Sequence, residues 1–529
     1  MTSREIITGG RAVLGIELGS TRIKAVLTDA AGAPLAQGSH EWENQLENGY
    51  WTYSLEAVWS GLQDCFADLQ KNVAAQYGVA VERLGAIGVS AMMHGYLAFD
   101  AGGRLLAPFR TWRNTNTGAA AAELSELFHF NMPLRWSLSH LYQCILDGEA
   151  HIPEVAFFTT LAGYVHWQLT GRKVLGVGDA SGMMPIDAAT GGFDERCIDK
   201  FDALVAPKGY PWKLRDLLPE VLSAGADAGA LTAAGAHLLD PSGRLQPGAP
   251  FCPPEGDGGT GMVATNAVRP RTGNVSAGTS SFSMIVLERD LKQPHEVIDI
   301  VTTPDGSPVA MVHCNNCTSE LNAWVAMFGE CLQLMGAPAD RGALFDRLYN
   351  HALTGDADCG GLVAFNYISG EPVTGFAEGR PLLLRSAEDR FNLANLVRAQ
   401  LYASVGVLKI GNEVLFREEG VEVDRLTGHG GLFKTPGVGQ RVLAAALGTP
   451  ISVMETAGEG GAWGIALLAG YVFNNPEGLS LADYLDRKIF AGLPVSEIAP
   501  TPEDIAGFDA WLARYRACLP VEAAAISCK

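Results

Sequence analysis

Two similar short loops, about half a chain apart, constrain this sequence more than any other feature. One is Gly19-Ser20-Thr21, inside VLGIELGSTRIKAVLTD; the other is Gly278-Thr279-Ser280, inside GNVSAGTSSFSMIVLE. In each, a β-rich apolar run enters a glycine and two hydroxyl residues and leaves as a second β-rich run, which predicts a hairpin. Consecutive N–H groups at such a tip form an anion-binding nest suited to phosphate oxygens. One tip is weak evidence, since glycine-hydroxyl turns join strands in many proteins. Two matched tips imply two related half-molecules acting on one polyphosphate.

The remaining bulk properties mark an ordinary globular protein and narrow its partners. A chain of 529 residues exceeds one hydrophobic core, so two large domains are expected. The formal net charge of -20 argues against nucleic acid or an anionic membrane as a partner. No apolar stretch is long and charge-free enough to span a bilayer, and MTSREIITGGRA lacks the apolar centre of a signal peptide. The ten cysteines are scattered singly apart from Cys314 and Cys317, which predicts reduced thiols and a cytoplasmic setting. His313-Cys314-Asn315-Asn316-Cys317 offers half a zinc site, but there is no second C-x-x-C to close it.

Along the chain, strands are expected around the first loop and as a pair at 85–90 and 96–100. Helices are expected at 118–130 and 154–170, and more weakly at 221–236. Near Pro270 the pattern returns to β runs, and the domain boundary is placed there: 11–269 as an N-terminal domain and 270–500 as a C-terminal one. The stretch 501–529 reads as a helix and a mobile tail. Further helices are expected at 318–335, 393–418, 438–447 and 461–472. Strands mixed with helices in two halves predict two α/β domains around a cleft.

Asp257, in PPEGDGGTGMVATNAV, is the most suggestive acid. Flanking glycines admit a substrate close to the backbone, and a carboxylate there can take a proton from an attacking hydroxyl. An Asx-turn would use the same residue, and Glu255 competes for the role. Glu17, just before the first tip, is placed to hold Mg²⁺ through water, and Lys24 beyond it is either a phosphate partner or a solvated strand residue. Met93, His94, Trp112, Arg113 and Asn114 are candidates for a polyol site, with structural roles for His94 and Trp112 as the plainer alternative. Two glycine clusters, Gly428-His429-Gly430-Gly431 and Thr456-Ala457-Gly458-Glu459-Gly460-Gly461, allow a flat purine ring against backbone; close helix packing would also explain the second.

In this order, the segments resemble the FGGY family of carbohydrate kinases, within the actin-like and hexokinase-like ATPase superfamily. The likeness runs from about residue 12 to 472. GIELGSTRIKAVL and SAGTSS are similar to its two phosphate loops, SAMMHG to the Ser-Gly-Gln-Met-His-Gly segment of xylulokinases at the sugar, and TWRNTNT to their Trp-Asn-Asp-x-Arg segment. GDASGMMPID is similar to an Asp-Ala-Ser-Gly stretch, YISGEP to Leu-Ser-Gly-Glu-Arg, and LTGHGG with TAGEGGAWGIALLAG to the adenosine-binding glycines. EGDGG aligns with the catalytic loop, which puts the base on Asp257. The family usually has aspartate where this chain has Glu17, glutamine where it has Met92, and arginine where it has Pro372.

The resemblance implies two RNase-H-like domains, with sugar bound deep in the cleft by Met93, His94, Trp112, Arg113, Asn114 and Asp257. ATP would be held by Gly19, Ser20, Thr21, Lys24, Gly278, Thr279, Ser280, Gly430, Gly431, Gly460 and Gly461, with Mg²⁺ at Glu17. The implied reaction is phosphorylation of the terminal hydroxyl of a ketopentose, D-xylulose first and L-ribulose or another pentulose or polyol second, by a homodimer. An actin-like or chaperone-like ATPase and a sugar-binding regulator are the readings from other classes.

Overall fold

The computed structural model describes residues 1–454 and 460–528. The chain divides into two compact units. The first comprises Met1–Val268, Asp299–Val309 and Glu459–Gly492, and the second Arg269–Ile298, Ala310–Gly458 and Leu493–Lys529. The single cut expected near Pro270 is therefore too simple, because each unit takes back a later piece of chain.

Both loops are hairpin tips, and the sheets around them share one plan. In the first unit, Val13–Leu18 pairs antiparallel with Arg22–Thr28, which pairs antiparallel with Pro34–Glu41. On its other side Val13–Leu18 runs parallel to Ala86–Ala91, and that strand runs parallel to Glu255–Gly256. In the second unit, Thr272–Ala277 pairs antiparallel with Ser281–Val286, which neighbours Pro308–Cys314. Thr272–Ala277 also runs parallel to Arg425–His429, and that strand runs parallel to Ile451–Met454. Hairpin, one outer strand beyond it, and two parallel strands on the other side: the same five-strand order occurs twice, which makes this a duplicated α/β fold of the RNase-H-like kind.

Side-chain volume sets how the layers stack. Ile16, Ala25 and Gly38 share one face of the first sheet, and Gly15 and Val26 share the other. A Cβ on Gly38 would lie 2.3 Å from the Cys65 carbonyl, and one on Gly15 would lie 2.2 Å from the Ala462 carbonyl. Their absence lets helix Leu55–Tyr77 lie on one face and helix Gly460–Phe473 on the other. The Leu14, Ile16, Val58, Leu62, Phe66 and Ile87 side chains fill the space between the layers. In the second unit the long helix Leu393–Glu413 is buried over most of its length, and its Asn412 amide donates to Ser283 of the hairpin at 2.9 Å.

Several local expectations change. Residues 85–90 and 96–100 do form strands, but they do not pair with each other: Leu97–Phe99 pairs with Phe157–Thr159. That strand occupies the front of the expected 154–170 helix, which runs over Leu161–Thr170 behind the Thr160 cap. Of 221–236, only Ala233–Leu239 is helical over its length. The C-terminal stretch is not a loose tail. Pro502–Ala517 and Leu519–Ile526 are helices, with Phe508, Trp511 and Tyr515 buried and Asp504 bonded to both Arg398 and Arg441. The aromatic spacing 508, 511, 515 is a helical face that explains this docking.

Candidate active site

The first hairpin tip is anchored from outside by aromatic residues. Trp42 Nε1 donates to the Gly19 carbonyl at 2.7 Å, and the Tyr53 hydroxyl donates to the Ser20 carbonyl at 2.5 Å. The two rings stack with centroids 4.1 Å apart. Trp112, about a third exposed, donates from Nε1 to Ser20 Oγ at 3.1 Å. The carbonyls of the tip are thus committed to the protein. Lys24 stands directly across the hairpin from Glu17, so both side chains lie on one face of the sheet.

Asp257 opens helix Asp257–Ala264 immediately after the two-residue strand Glu255–Gly256. The positive helix end favours its anion. Its carboxylate is open to solvent and accepts the Met93 N–H at 3.1 Å. The protein packed around it raises its pKa, opposed by N–H groups of Met93, Gly258 and Asp257 itself and by the Arg135 charge. Glu255 is sealed by contrast: its two oxygens take the N–H groups of Gly178 at 3.3 Å and Asp179 at 2.9 Å. Burial and the Asp179 charge push the Glu255 carboxyl well above the usual range. Of the two acids, only Asp257 is reachable by a substrate.

Two more carboxylates complete the cluster. Burial, then the neighbouring Asp257 charge, pushes Glu17 up to about 7 against the pull of the Ala462 N–H and Lys24. Glu17 Oε2 accepts that N–H at 3.1 Å. Buried Asp179 is likewise pushed up to about 7, by burial first and with Asp257 adding to it, although Thr160 donates to its Oδ2 at 2.6 Å. An accessible acid whose charge is felt by two neighbouring carboxyls is suited to act as a proton acceptor and to sit beside a cation.

The other candidates separate into different roles. Met93 is brought to Asp257 through its backbone. His94 is buried, in the left-handed region at φ +70, with Nδ1 3.1 Å from the Gly182 carbonyl and its ring stacked near Trp136. Arg113 lies over the Trp51 ring at 3.7 Å. Asn114 does not face outward: its oxygen accepts the Trp51 N–H and its nitrogen donates to the Trp51 and Thr111 carbonyls. Its amide is consumed in holding the loop, which corrects the expectation that it contacts a polyol.

The second tip, Gly278-Thr279-Ser280, is tied to the segment before helix Ser319–Leu334. The N–H groups of Cys317 and Thr318 donate to the Thr279 and Gly278 carbonyls at 2.9 and 3.0 Å. Gly430 has φ +103, and a Cβ there would lie 2.6 Å from the Ala277 carbonyl. Gly430 and Gly431 therefore run alongside this tip. Gly460 and Gly461 lie elsewhere, in the first unit. A Cβ on Gly461 would meet Glu17 Oε1 at 2.3 Å and Thr260 Oγ1 at 2.8 Å, so that glycine is required by packing against the acid cluster. Thr456–Glu459 of this cluster lie outside the described residues.

Among the described residues, one group with metal-ligand geometry stands apart: Cys144, Glu149 and His151. Buried Arg110 already fills it, donating to Cys144 Sγ at 2.8 Å and to both Glu149 oxygens at 2.7 Å. Cys314 and Cys317 are free buried thiols.

Residues 12–242 match the N-terminal domain model of the FGGY family of carbohydrate kinases, and residues 273–473 match its C-terminal domain model. The chain belongs to the FGGY family of carbohydrate kinases. It carries both the N-terminal and the C-terminal domain of that family. A xylulose kinase from Lactococcus lactis is 20% identical over 523 residues, covering 94% of each chain. A glycerol kinase from Ectopseudomonas mendocina is 24% identical over 241 residues, 41% of this chain and 44% of that protein, so this match spans less than half the relative's length. The structure of a xylulose kinase from Lactobacillus acidophilus superposes with a TM-score of 0.78 at 16% identity, over 97% of this chain and 98% of that one. No described helix is long and apolar enough to cross a membrane.

Sequence reasoning missed Trp42 and Tyr53, which brace the first tip, and Arg135, whose charge reaches Asp257. The first two were marked only as aromatics in the polar run HEWENQLENGYWTYS. Arg135 lies far from Asp257 in sequence and carries no spacing signal. Asp179 lay within the GDASGMMPID segment, but its closeness to Asp257 was not legible there.

Proposed function

We propose that this family member transfers the γ-phosphoryl group of ATP to the terminal hydroxyl of a ketopentose, D-xylulose foremost. The carrying observation is Asp257: a solvent-open carboxylate at a helix start, held by the Met93 N–H, two residues after sealed Glu255 and neighboured by Glu17 and Asp179. The similarity to a xylulose kinase over 94% of each chain supports the ketopentose.

In this mechanism Asp257 takes the proton of the sugar's terminal hydroxyl. The oxygen attacks the γ-phosphorus in line, the bond to the β–γ bridging oxygen breaks, and ADP leaves. His94 and Met93 position the sugar, with Trp112 and Arg113 beside it. In the first unit the tip Gly19-Ser20-Thr21 offers N–H groups to phosphate oxygens, with Lys24 as a nearby charge; in the second unit the tip Gly278-Thr279-Ser280 offers the same beside Gly430 and Gly431. The Glu17 and Asp257 carboxylates fit a hydrated Mg²⁺, because their mutual repulsion is the charge a cation relieves. Magnesium, when bound with ATP, supplies charge neutralisation on the phosphates. The protein's own contribution is positioning.

L-ribulose or another pentulose is the second reading, favoured by Met92 in place of the usual glutamine and by the engaged Asn114 amide. The test is kcat/KM across ketopentoses, aldopentoses, glycerol and aldonates, with product mass confirming one added phosphate. D-xylulose at the top of the panel is expected; glycerol at the top, or no sugar accepted, overturns the proposal.

A further inference from the structure

Outside the acid cluster, one charged pair joins the segments that hold His94 and border Asp257. Arg135 Nη2 is bonded to Asp299 Oδ2, and Asn131 Nδ2 donates to Asp299 Oδ1 at 3.1 Å. The Arg135 and Asp299 side chains are 23% and 13% exposed, neither sealed nor free. Both partners are fixed to the walls of the proposed sugar site. The Arg135 carbonyl accepts the Gly95 N–H at 3.3 Å, and Trp136 stacks near the His94 ring. On the other side, the strand that carries Asp299 is tied down by Thr302. The Thr302 N–H donates to Ser181 Oγ, and its hydroxyl donates to the Val177 carbonyl, both at 3.0 Å. Ser181 directly precedes Gly182, whose carbonyl meets His94. The pair therefore spans the two segments that hold His94 and border Asp257, and the Arg135 charge is felt at Asp257.

We propose that the Arg135–Asp299 pair reads the far end of the sugar, accepting a neutral vicinal diol and excluding a sugar acid. A guanidinium has five N–H donors, and among the described residues Nη2 alone is bonded to Asp299, so Nε and Nη1 retain donor capacity. Asp299 supplies the acceptor. One donor and one acceptor side by side match two adjacent hydroxyls. Asp299 also cancels the guanidinium charge, so an aldonate carboxylate would meet a carboxylate as well as the arginine. This inference rests on the sugar-kinase reading above.

The test compares D-xylulose with D-xylonate, a five-carbon aldonate, by steady-state kinetics and by titration calorimetry. Asp299→Asn removes the opposing charge and keeps the Asn131 contact possible. It is expected to raise the xylonate-to-xylulose ratio of kcat/KM at least about tenfold, the scale of a contact to a charged group. Arg135→Gln should raise KM for xylulose about tenfold while kcat moves less than about threefold. The neutral pair Arg135→Gln with Asp299→Asn should bring the ratio back within about threefold of wild type. A pair that only braces the fold would lower the melting temperature of each variant and leave the ratio unchanged, and that result overturns the proposal. Should wild type bind xylulose without phosphoryl transfer, the kinase reading falls. The calorimetric ratio then still decides the role of the pair.

Discussion

Gly461→Ala tests whether the position of Glu17 matters to transfer. The added Cβ would lie 2.3 Å from Glu17 Oε1 and 2.8 Å from Thr260 Oγ1, against an ordinary carbon contact of about 3.5 Å. An overlap of about 1 Å must be relieved. Glu17 Oε1 is the end of a flexible side chain, so Glu17 swings and its bond to the Ala462 N–H breaks. Losing a hydrogen bond of a charged group costs about 1.5–3 kcal/mol. Alanine returns about 1 kcal/mol over glycine inside a helix. The net loss of stability is about 1 kcal/mol, or a few degrees in melting temperature. Activity responds more strongly, because a 1 Å displacement in a catalytic site costs about a hundredfold. Gly464→Ala is the contrast. Its Cβ would lie 2.1 Å from the Thr260 carbonyl, which is backbone and has no side chain to swing. That variant should lose about 1–3 kcal/mol of stability. The assays are thermal melting and kcat with the preferred sugar. Gly461→Ala with wild-type kcat would refute a role for Glu17 in the reaction.

Asp257→Asn should keep sugar and nucleotide binding near normal while lowering kcat by about a hundredfold or more; normal turnover removes Asp257 from the role. Because the protein packed around Asp257 raises its pKa and catalysis needs its ionised form, kcat should fall on the acid side above the ordinary aspartate range, and a profile flat down to that range contradicts this. His94→Ala should raise KM for the sugar and leave KM for ATP alone; an unchanged sugar KM returns His94 to a structural role. His151 and Arg110 hold the Glu149 carboxyl down to about 2 against the cost of burial, from an ordinary 4.5. A depressed carboxyl stabilises above its unfolded pKa and loses that contribution as pH falls from about 4.5 toward 2. At about 1.4 kcal/mol per pH unit, Glu149→Gln should cost about 3–4 kcal/mol at pH 7, and a melting difference that does not shrink between pH 5 and pH 2.5 would exclude the linkage.

Much of the architecture was legible because hairpin signals are local. Apolar runs flanking Gly19-Ser20-Thr21 and Gly278-Thr279-Ser280 dictate antiparallel pairs whatever surrounds them. The long helices at 393–413 and 438–447 were equally plain, since their period is written in consecutive residues. Pairing across distance was not legible. Ala86–Ala91 joins Val13–Leu18 and Glu255–Gly256, and no local pattern favours those partners over Leu97–Phe99. The same limit applies to the site. Asp257 stood out by its glycines, and Gly461 by its cluster, but the reason for Gly461 is a carboxylate more than four hundred residues away. Asn114 looked like a ligand and is a brace, because its amide geometry matches the Trp51 backbone better than an open site. The Arg135–Asp299 pair joins segments separated by more than 160 residues, and burial, which sets the pKa of Glu17 and Asp179, exists only in the folded chain.

The most direct test of the central claim is to measure ADP and sugar phosphate together, with Mg-ATP in the presence and absence of D-xylulose. The account predicts strong stimulation by the sugar, one sugar phosphate formed per ADP released, and loss of both in Asp257→Asn. ADP release that is the same with and without every sugar tried, with no phosphorylated sugar found, would contradict it.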